Sequence, residues 1–426
     1  MEIRLDYGES YLKVEVDRDR IIHILEKKPA PALDNVRKRF LEGFSRPIGS
    51  PPLKRLVSGK KNICIVISDS TRAVPTDIIL GGLLDEIKSC GIPAEAVTIL
   101  VATGLHRPNT EEELKRMVGA DIVNNYRIVN HDARNRDSCR HIGNTKRGTP
   151  VIIDRVYTES DFKILTGLIE PHFMAGFSGG RKAICPGISY MDMFRHFHGP
   201  AVLESPMAAN AVLDGNPFHE ESTEIAKMAG VDFIINVTIN KNKQVTGIFC
   251  GDLEKAFYAG ADFCRESSTY EIDRQADIVI TSAGGYPLDC NLYQSVKGMV
   301  GAMPAVRDGG MIIIAARCAE EIGSREFVEL LASEKELDAF MEKINDPGFF
   351  KIDQWELEML VKARKKAEIY LYSDCLNKCS CSIPETTLIR TGSIEEAIEK
   401  GMEKYGPRAS ISVIPEGPYI IPVFRK

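Results

Sequence analysis

Short β-branched runs alternate with helical patterns along most of this chain, and that alternation restricts the fold more than any single motif. The runs at 62–68, 97–102, 126–130 and 162–166 form one series, with apolar residues at helical spacing over 76–89. A second series starts at 276–281 and continues through 310–315 and 367–372, with helical segments at 325–344 and 355–366. Strands separated by helices predict parallel sheets with helices on their faces. At 426 residues the chain is long for one core. The reading is therefore two α/β domains with mostly parallel sheets, over 1–270 and 271–426, and an active-site cleft between them. A helix over 252–267 and a connector over 269–276 mark the break. The tail, 415–426, is expected to pack back on the first domain.

Acidic residues outnumber basic ones, 60 to 54, for a net charge of -6. That balance argues against nucleic acid or an anionic membrane as the main partner. No apolar run reaches the length of a membrane span. The opening MEIRLDYGESYLKVEV alternates like a strand and lacks a signal-peptide core, so a cytoplasmic location is expected. Eleven cysteines without framework spacing read mostly as reduced core thiols. Cys375, Cys379 and Cys381 read as a loop with incidental thiols, with soft-metal binding or disulfide exchange as the alternative.

Polar clusters follow four strand ends, where open α/β sheets collect their chemistry. After 62–68 comes SDSTRAVP, in which Asp69 and Thr71 either cap the next helix or serve a site. Arg72 is harder to explain structurally, because a helix start disfavours a cation; a grip on a carboxylate or phosphate accounts for it. His106 lies in the turn after 97–102, and His172 occupies the same place after 162–166; such histidines suit acid–base work near neutral pH. His172 opens the most informative stretch, PHFMAGFSGGRKAICPG at 171–187. Its turn Ser178-Gly179-Gly180 can hold a phosphate by main-chain N–H groups, with Lys182 beside it. His196 and His198 end a helix, where an imidazole either gains from the helix dipole or ligates a metal. After 276–281, Tyr293, Gln294 and Lys297 lie on a helix; Lys297 is either solvated or turned toward the cleft. The one tryptophan, Trp355, is either core or, because it opens a helix, at least partly exposed.

Together these clusters resemble the lactate racemase family, which inverts 2-hydroxy acids with a nickel-pincer nucleotide. The matching pieces are SDSTRAVP, the GLHRP turn at 104–108, the stretch 171–187, His198, the YQSVK segment at 293–297 and Trp355. The resemblance implies a covalent thioamide between Lys182 and the cofactor, with His198 completing the nickel coordination. It implies His106 and His172 as the two acid–base groups and Arg72 and Lys297 as the holders of the substrate. Tyr293, Gln294 and Trp355 would line the pocket, while Asp69, Thr71, Ser178, Gly179 and Gly180 would lie around the cofactor. Hydride transfer through a keto acid follows, and so does dependence on cofactor-biosynthesis enzymes. The alternatives are a metal-dependent dehydratase or isomerase in the same cleft, and a non-catalytic carrier of a nucleotide cofactor.

Overall fold

A computed structural model describes residues 1–346 and 348–424. The chain divides into two compact units, one made of 29–170 and 174–267, the other of 1–28, 171–173 and the described residues from 268 onward.

In the first of these a six-stranded sheet runs in the order Val245–Gly251, Phe233–Ile239, Phe162–Leu168, Ile63–Ser68, Val97–Ala102, Arg127–Asn130. Only the pairing of Val245–Gly251 with its neighbour is antiparallel. Ile63–Ser68 shows why the centre is parallel: Ile63 to Ile67 are all fully buried, so the strand is apolar on both faces and needs a layer on each. The helix Thr76–Ser89 supplies Ile79, Leu80 and Leu83 to one layer, against Phe40 and Phe44 of Val36–Ser45. The strand Phe162–Leu168 runs two residues further than expected, which carries Gly167 and Leu168 into the sheet.

The other unit holds a six-stranded sheet in the order Ile389–Thr391, Ala367–Tyr372, Val306–Ala315, Ala276–Ser282, Ile411–Ile414, Ile21–Ile24, parallel throughout. Its last strand comes from the N-terminus, so residues 1–28 belong to this unit and the expected first domain of 1–270 does not include them. The opening alternation is a hairpin, Glu2–Tyr7 with Ser10–Glu15, that buries Ile3, Leu5 and Val14 in this unit's core. The connector after 268 contains a strand, Thr269–Ile272, that pairs in parallel with Ile421–Phe424. The described part of the C-terminal tail therefore pairs with a strand of its own unit. The expected helix over 325–344 is two helices, Arg325–Ser333 and Leu337–Lys343. Glu334 interrupts it, leaving helical geometry and taking Lys343 at 2.7 Å and Lys351 at 3.0 Å on its buried carboxylate.

All eleven cysteines are free thiols. Among the described residues no helix is long and apolar enough to cross a membrane.

Candidate active site

The loop after Ile63–Ser68 is organised by Asp69, which is buried. Its Oδ1 accepts from the Thr71 N–H at 3.3 Å and the Thr71 hydroxyl at 2.7 Å, and its Oδ2 meets His106 Nδ1 at 2.6 Å. The helix that follows starts after Pro75 with no side-chain cap, so Asp69 and Thr71 do not cap it. Burial works to raise the Asp69 pKa, but His106, the Thr71 hydroxyl and Arg72 outweigh it and hold the carboxyl below its ordinary value. An ionised carboxylate only accepts, so His106 Nδ1 must donate, and in the neutral ring Nε2 then carries the lone pair. The imidazole is 36% exposed against 6% for the Asp69 side chain, so the histidine is the more accessible end of the pair. Gly104, at φ +54°, allows the turn that presents it, and the Gly104 N–H is held by Gly187 O at 2.9 Å. Arg107, next in the same motif, forks onto Glu113 at 2.7 and 2.8 Å within the capping box that starts Glu111–Val118. It is a structural residue.

Arg72 donates from Nη1 to Glu170 Oε1 at 2.9 Å. Glu170 is absent from the sequence-based candidates; its available signal is one acid two residues past the strand Phe162–Leu168. The Glu170 main chain is clamped to Ser178: its N–H donates to Ser178 Oγ at 3.1 Å and its carbonyl accepts from the Ser178 N–H at 2.9 Å.

That clamp begins the glycine-rich turn. Gly179, at φ +84°, has no room for a side chain: a Cβ there would lie 2.5 Å from Asn236 Oδ1 and 3.1 Å from Leu168 O. Asn236 Oδ1 takes the Gly180 N–H at 3.0 Å. Two N–H groups expected to face a phosphate, those of Ser178 and Gly180, are thus committed to protein acceptors. The turn's contribution is instead to aim the two cations after it. Arg181 is buried, donates to Ala175 O at 2.7 Å and lies 4.3 Å from the Phe257 ring centre. Burial pushes its pKa down to about 9, still high enough to keep the charge at neutral pH. Lys182 turns the other way, its Nζ 4.9 Å from the centre of the Phe218 ring.

His198 is packed on that same ring, edge to face at 5.1 Å, with Phe194 stacked at 5.2 Å and Phe197 at 4.7 Å. The helix before it, Phe194–Phe197, is one turn long and supplies little dipole, which removes the structural explanation for a histidine there. Burial, with the Lys182 charge added, holds the His198 pKa well below the ordinary imidazole value. The ring is neutral, the form that ligates a metal. His196 is exposed. Phe218 owes its place to Asn216, whose Oδ1 caps Pro217–Ala229 through the Phe218 N–H at 2.9 Å.

The remaining sequence-selected residues lie in the other unit. Asn291 caps Leu292–Ala302 by accepting the Gln294 N–H at 2.9 Å. Lys297 is buried rather than solvated, and its Nζ donates to Gln294 Oε1 one turn back. Trp355 is 2% exposed, which makes it core rather than partly exposed at its helix start; its Nε1–H donates to Tyr293 Oη at 2.9 Å. Burial, together with Asp353 and Glu356, raises the Tyr293 pKa far above its usual value, so the phenol stays protonated. His172 is buried and stacked on Phe173 at 5.0 Å. Among the described residues, no three His, Cys, Asp or Glu side chains converge to hold a metal, Cys375, Cys379 and Cys381 included.

Residues 7–211 match the lactate racemase N-terminal domain family and residues 272–422 the lactate racemase C-terminal domain family. The chain is 39% identical over 430 residues to a lactate racemase of Thermoanaerobacterium thermosaccharolyticum, covering 98% of each. It is also 39% identical over 420 residues to one of Lactiplantibacillus plantarum, covering 97% of this chain and 98% of that one. The solved lactate racemase apoprotein from T. thermosaccharolyticum superposes with a TM-score of 0.89 at 36% identity, over the whole of both chains. A Thermotoga maritima protein shares the fold at a TM-score of 0.71 and 18% identity, covering 93% of this chain and all of that one.

Proposed function

The chain belongs to the lactate racemase family, and from that premise we propose that it inverts C2 of a small 2-hydroxy acid, lactate first, with a nickel-pincer nucleotide on Lys182. The observation that carries the cofactor reading is the Lys182–Phe218–His198 arrangement. An amine and a neutral imidazole share one aromatic ring, which suits a group tethered at one point and ligated at another. His198 alone is too thin a donor set to hold a metal by itself, so the arrangement fits a metal carried by an organic group better than a protein-only metal site. That weighs against a metal-dependent dehydratase. Lys182 would carry the group and His198 would donate to its nickel, with Thr71, Ser178, Gly179 and Gly180 shaping the surroundings. When bound, the group supplies a hydride acceptor.

The chain's own residues do the rest. Removing a C2 proton beside an ionised carboxylate would leave a very costly carbanion; losing that hydrogen as hydride while the hydroxyl loses its proton leaves a planar keto acid. His106, with Nδ1–H held by Asp69, takes the hydroxyl proton at Nε2. His172 is assigned the same task for the other enantiomer. Arg72 and Lys297 hold the substrate carboxylate, and Tyr293, Gln294 and Trp355 line the substrate's surroundings. Cofactor-biosynthesis enzymes are the implied partners.

The test is to make the protein with and without those enzymes and incubate each preparation with single enantiomers of a hydroxy-acid panel in deuterated water. Racemisation with C2 hydrogen retained, only in the preparation whose intact mass shows an adduct at Lys182, is expected. Full solvent exchange at C2, or an active preparation with unmodified Lys182, would sink the proposal.

A further inference from the structure

Glu170 is a buried carboxylate whose ion-pair partner is Arg72. Its side chain is 6% exposed and that of Arg72 is 19%, so the face of the pair open to a ligand is the arginine's. A guanidinium has five N–H donors in a planar fork, and the bond to Glu170 Oε1 fixes the plane while engaging one of them. Glu170 is itself immobilised through its main chain, by the paired bonds to Ser178 four residues before Lys182. Ser178 Oγ is anchored in turn to Leu168 O at 2.7 Å, at the end of a central strand. Sheet, turn and guanidinium are thereby tied into one frame.

We infer that Glu170 is a positioning residue for substrate recognition: it fixes the Arg72 guanidinium so that its remaining donors meet the substrate carboxylate in register with the turn that carries Lys182. The inference rests on the reading of Arg72 as a carboxylate holder. A flexible arginine would have to be ordered by each substrate, whereas a preorganised one is ordered in advance, so the gain belongs to binding in ground and transition states alike.

The experiment compares wild-type holoenzyme with Glu170→Ala, Glu170→Gln, Arg72→Ala and the Arg72→Ala/Glu170→Ala pair. The binding probe is 2-hydroxy-2-methylpropanoate, which has no C2 hydrogen and cannot turn over; its Kd is measured by calorimetry, beside KM, kcat and the intact mass at Lys182. Glu170→Ala should weaken the probe and raise KM by about tenfold to a hundredfold, the range for losing a bond to a charged group. Its kcat should stay within about threefold, because an interaction lost equally in ground and transition states raises KM and leaves kcat unchanged, and its adduct should be unchanged. Glu170→Gln keeps an acceptor at the same reach and should recover part of the loss. In the Arg72→Ala background the second substitution should add nothing. An unchanged Kd in Glu170→Ala, or in Glu170→Gln should the alanine variant fail to fold, overturns the inference, and so does a loss that adds to that of Arg72→Ala. If Arg72→Ala itself leaves Kd unchanged, the reading of Arg72 falls, and this inference falls with it.

Discussion

Asp69→Asn is the sharpest probe of the His106 assignment, because it changes one atom and reverses one hydrogen bond. Asp69 Oδ1 is engaged by two Thr71 donors, so in the asparagine variant the amide oxygen stays on that side and the NH2 faces His106. At the 2.6 Å contact a donor would then oppose Nδ1, which must become an acceptor and send its proton to Nε2. The lone pair that takes the substrate's proton is gone. General-base catalysis contributes roughly 10²–10⁴ in rate, equivalent to about 2.7–5.4 kcal/mol at about 1.36 kcal/mol per decade. Loss of the charge-assisted bond alone sets a floor of about 1.5–3 kcal/mol. The expected result is at least a hundredfold slower production of keto acid from the enantiomer served by His106, with the other direction less affected. Chiral chromatography of single-turnover mixtures reads the rates, and nitrogen chemical shifts of the imidazole in the apoprotein read the tautomer. Activity within about threefold of wild type, too small a loss for a general base, would refute the reasoning. So would an unswitched tautomer accompanied by loss of activity.

Asp69 ionises more readily folded than its ordinary value of 3.8 would allow, so it stabilises the protein above that pH. The contribution is lost as pH falls through the lower folded value. Asp69→Asn should therefore flatten the acid limb of the stability curve below about pH 4, the onset set by that ordinary value, as followed by urea titrations at several pH values. Arg107→Ala removes a half-exposed pair with Glu113 and should cost no more than about 1 kcal/mol, with racemisation unchanged; a large drop in turnover would place Arg107 in the site. Gly179→Ala forces a side chain into positive φ against Asn236 and should destabilise by about 1–3 kcal/mol from the backbone alone, visible as a lowered Tm of the apoprotein. His198→Ala should lower the nickel content of the reconstituted protein while His196→Ala leaves it intact, as measured by elemental analysis; equal losses would show that burial was the wrong criterion.

The central strands were legible because burial on both faces writes continuous apolar runs, and the site motifs because His, Arg and Lys at strand ends have few structural reasons to be there. What stayed hidden depended on partners far away in the chain. Nothing near Glu170 announces Arg72, 98 residues earlier, and the burial of Trp355 depends on Tyr293, 62 residues before it. The split of the helix at Glu334 needed Lys343 and Lys351 to be seen turning toward it. The glycine turn misled in another way: glycines open enough for a phosphate are also open enough for Asn236, and composition alone does not separate the two. The same limit hid the place of the first 28 residues, whose alternation shows strand character but neither the hairpin nor which sheet receives the strand after it.

That strand has a consequence for synthesis. His23 of Ile21–Ile24 bonds to Ser412, 389 residues later, at the edge of the sheet completed by Ile411–Ile414. A ribosome adding roughly 5–20 residues per second makes the early strand wait about 20–80 s for its partner. Through that interval the entire 29–170 and 174–267 unit can fold while the N-terminal segment waits unpaired. A fragment begun after residue 28, however well chosen by domain length, would expose Ile411–Ile414 as a bare edge, the kind that templates aggregation. Expressing the unit built from 268 onward by itself would call for a permuted gene, in which the first 28 codons follow the last.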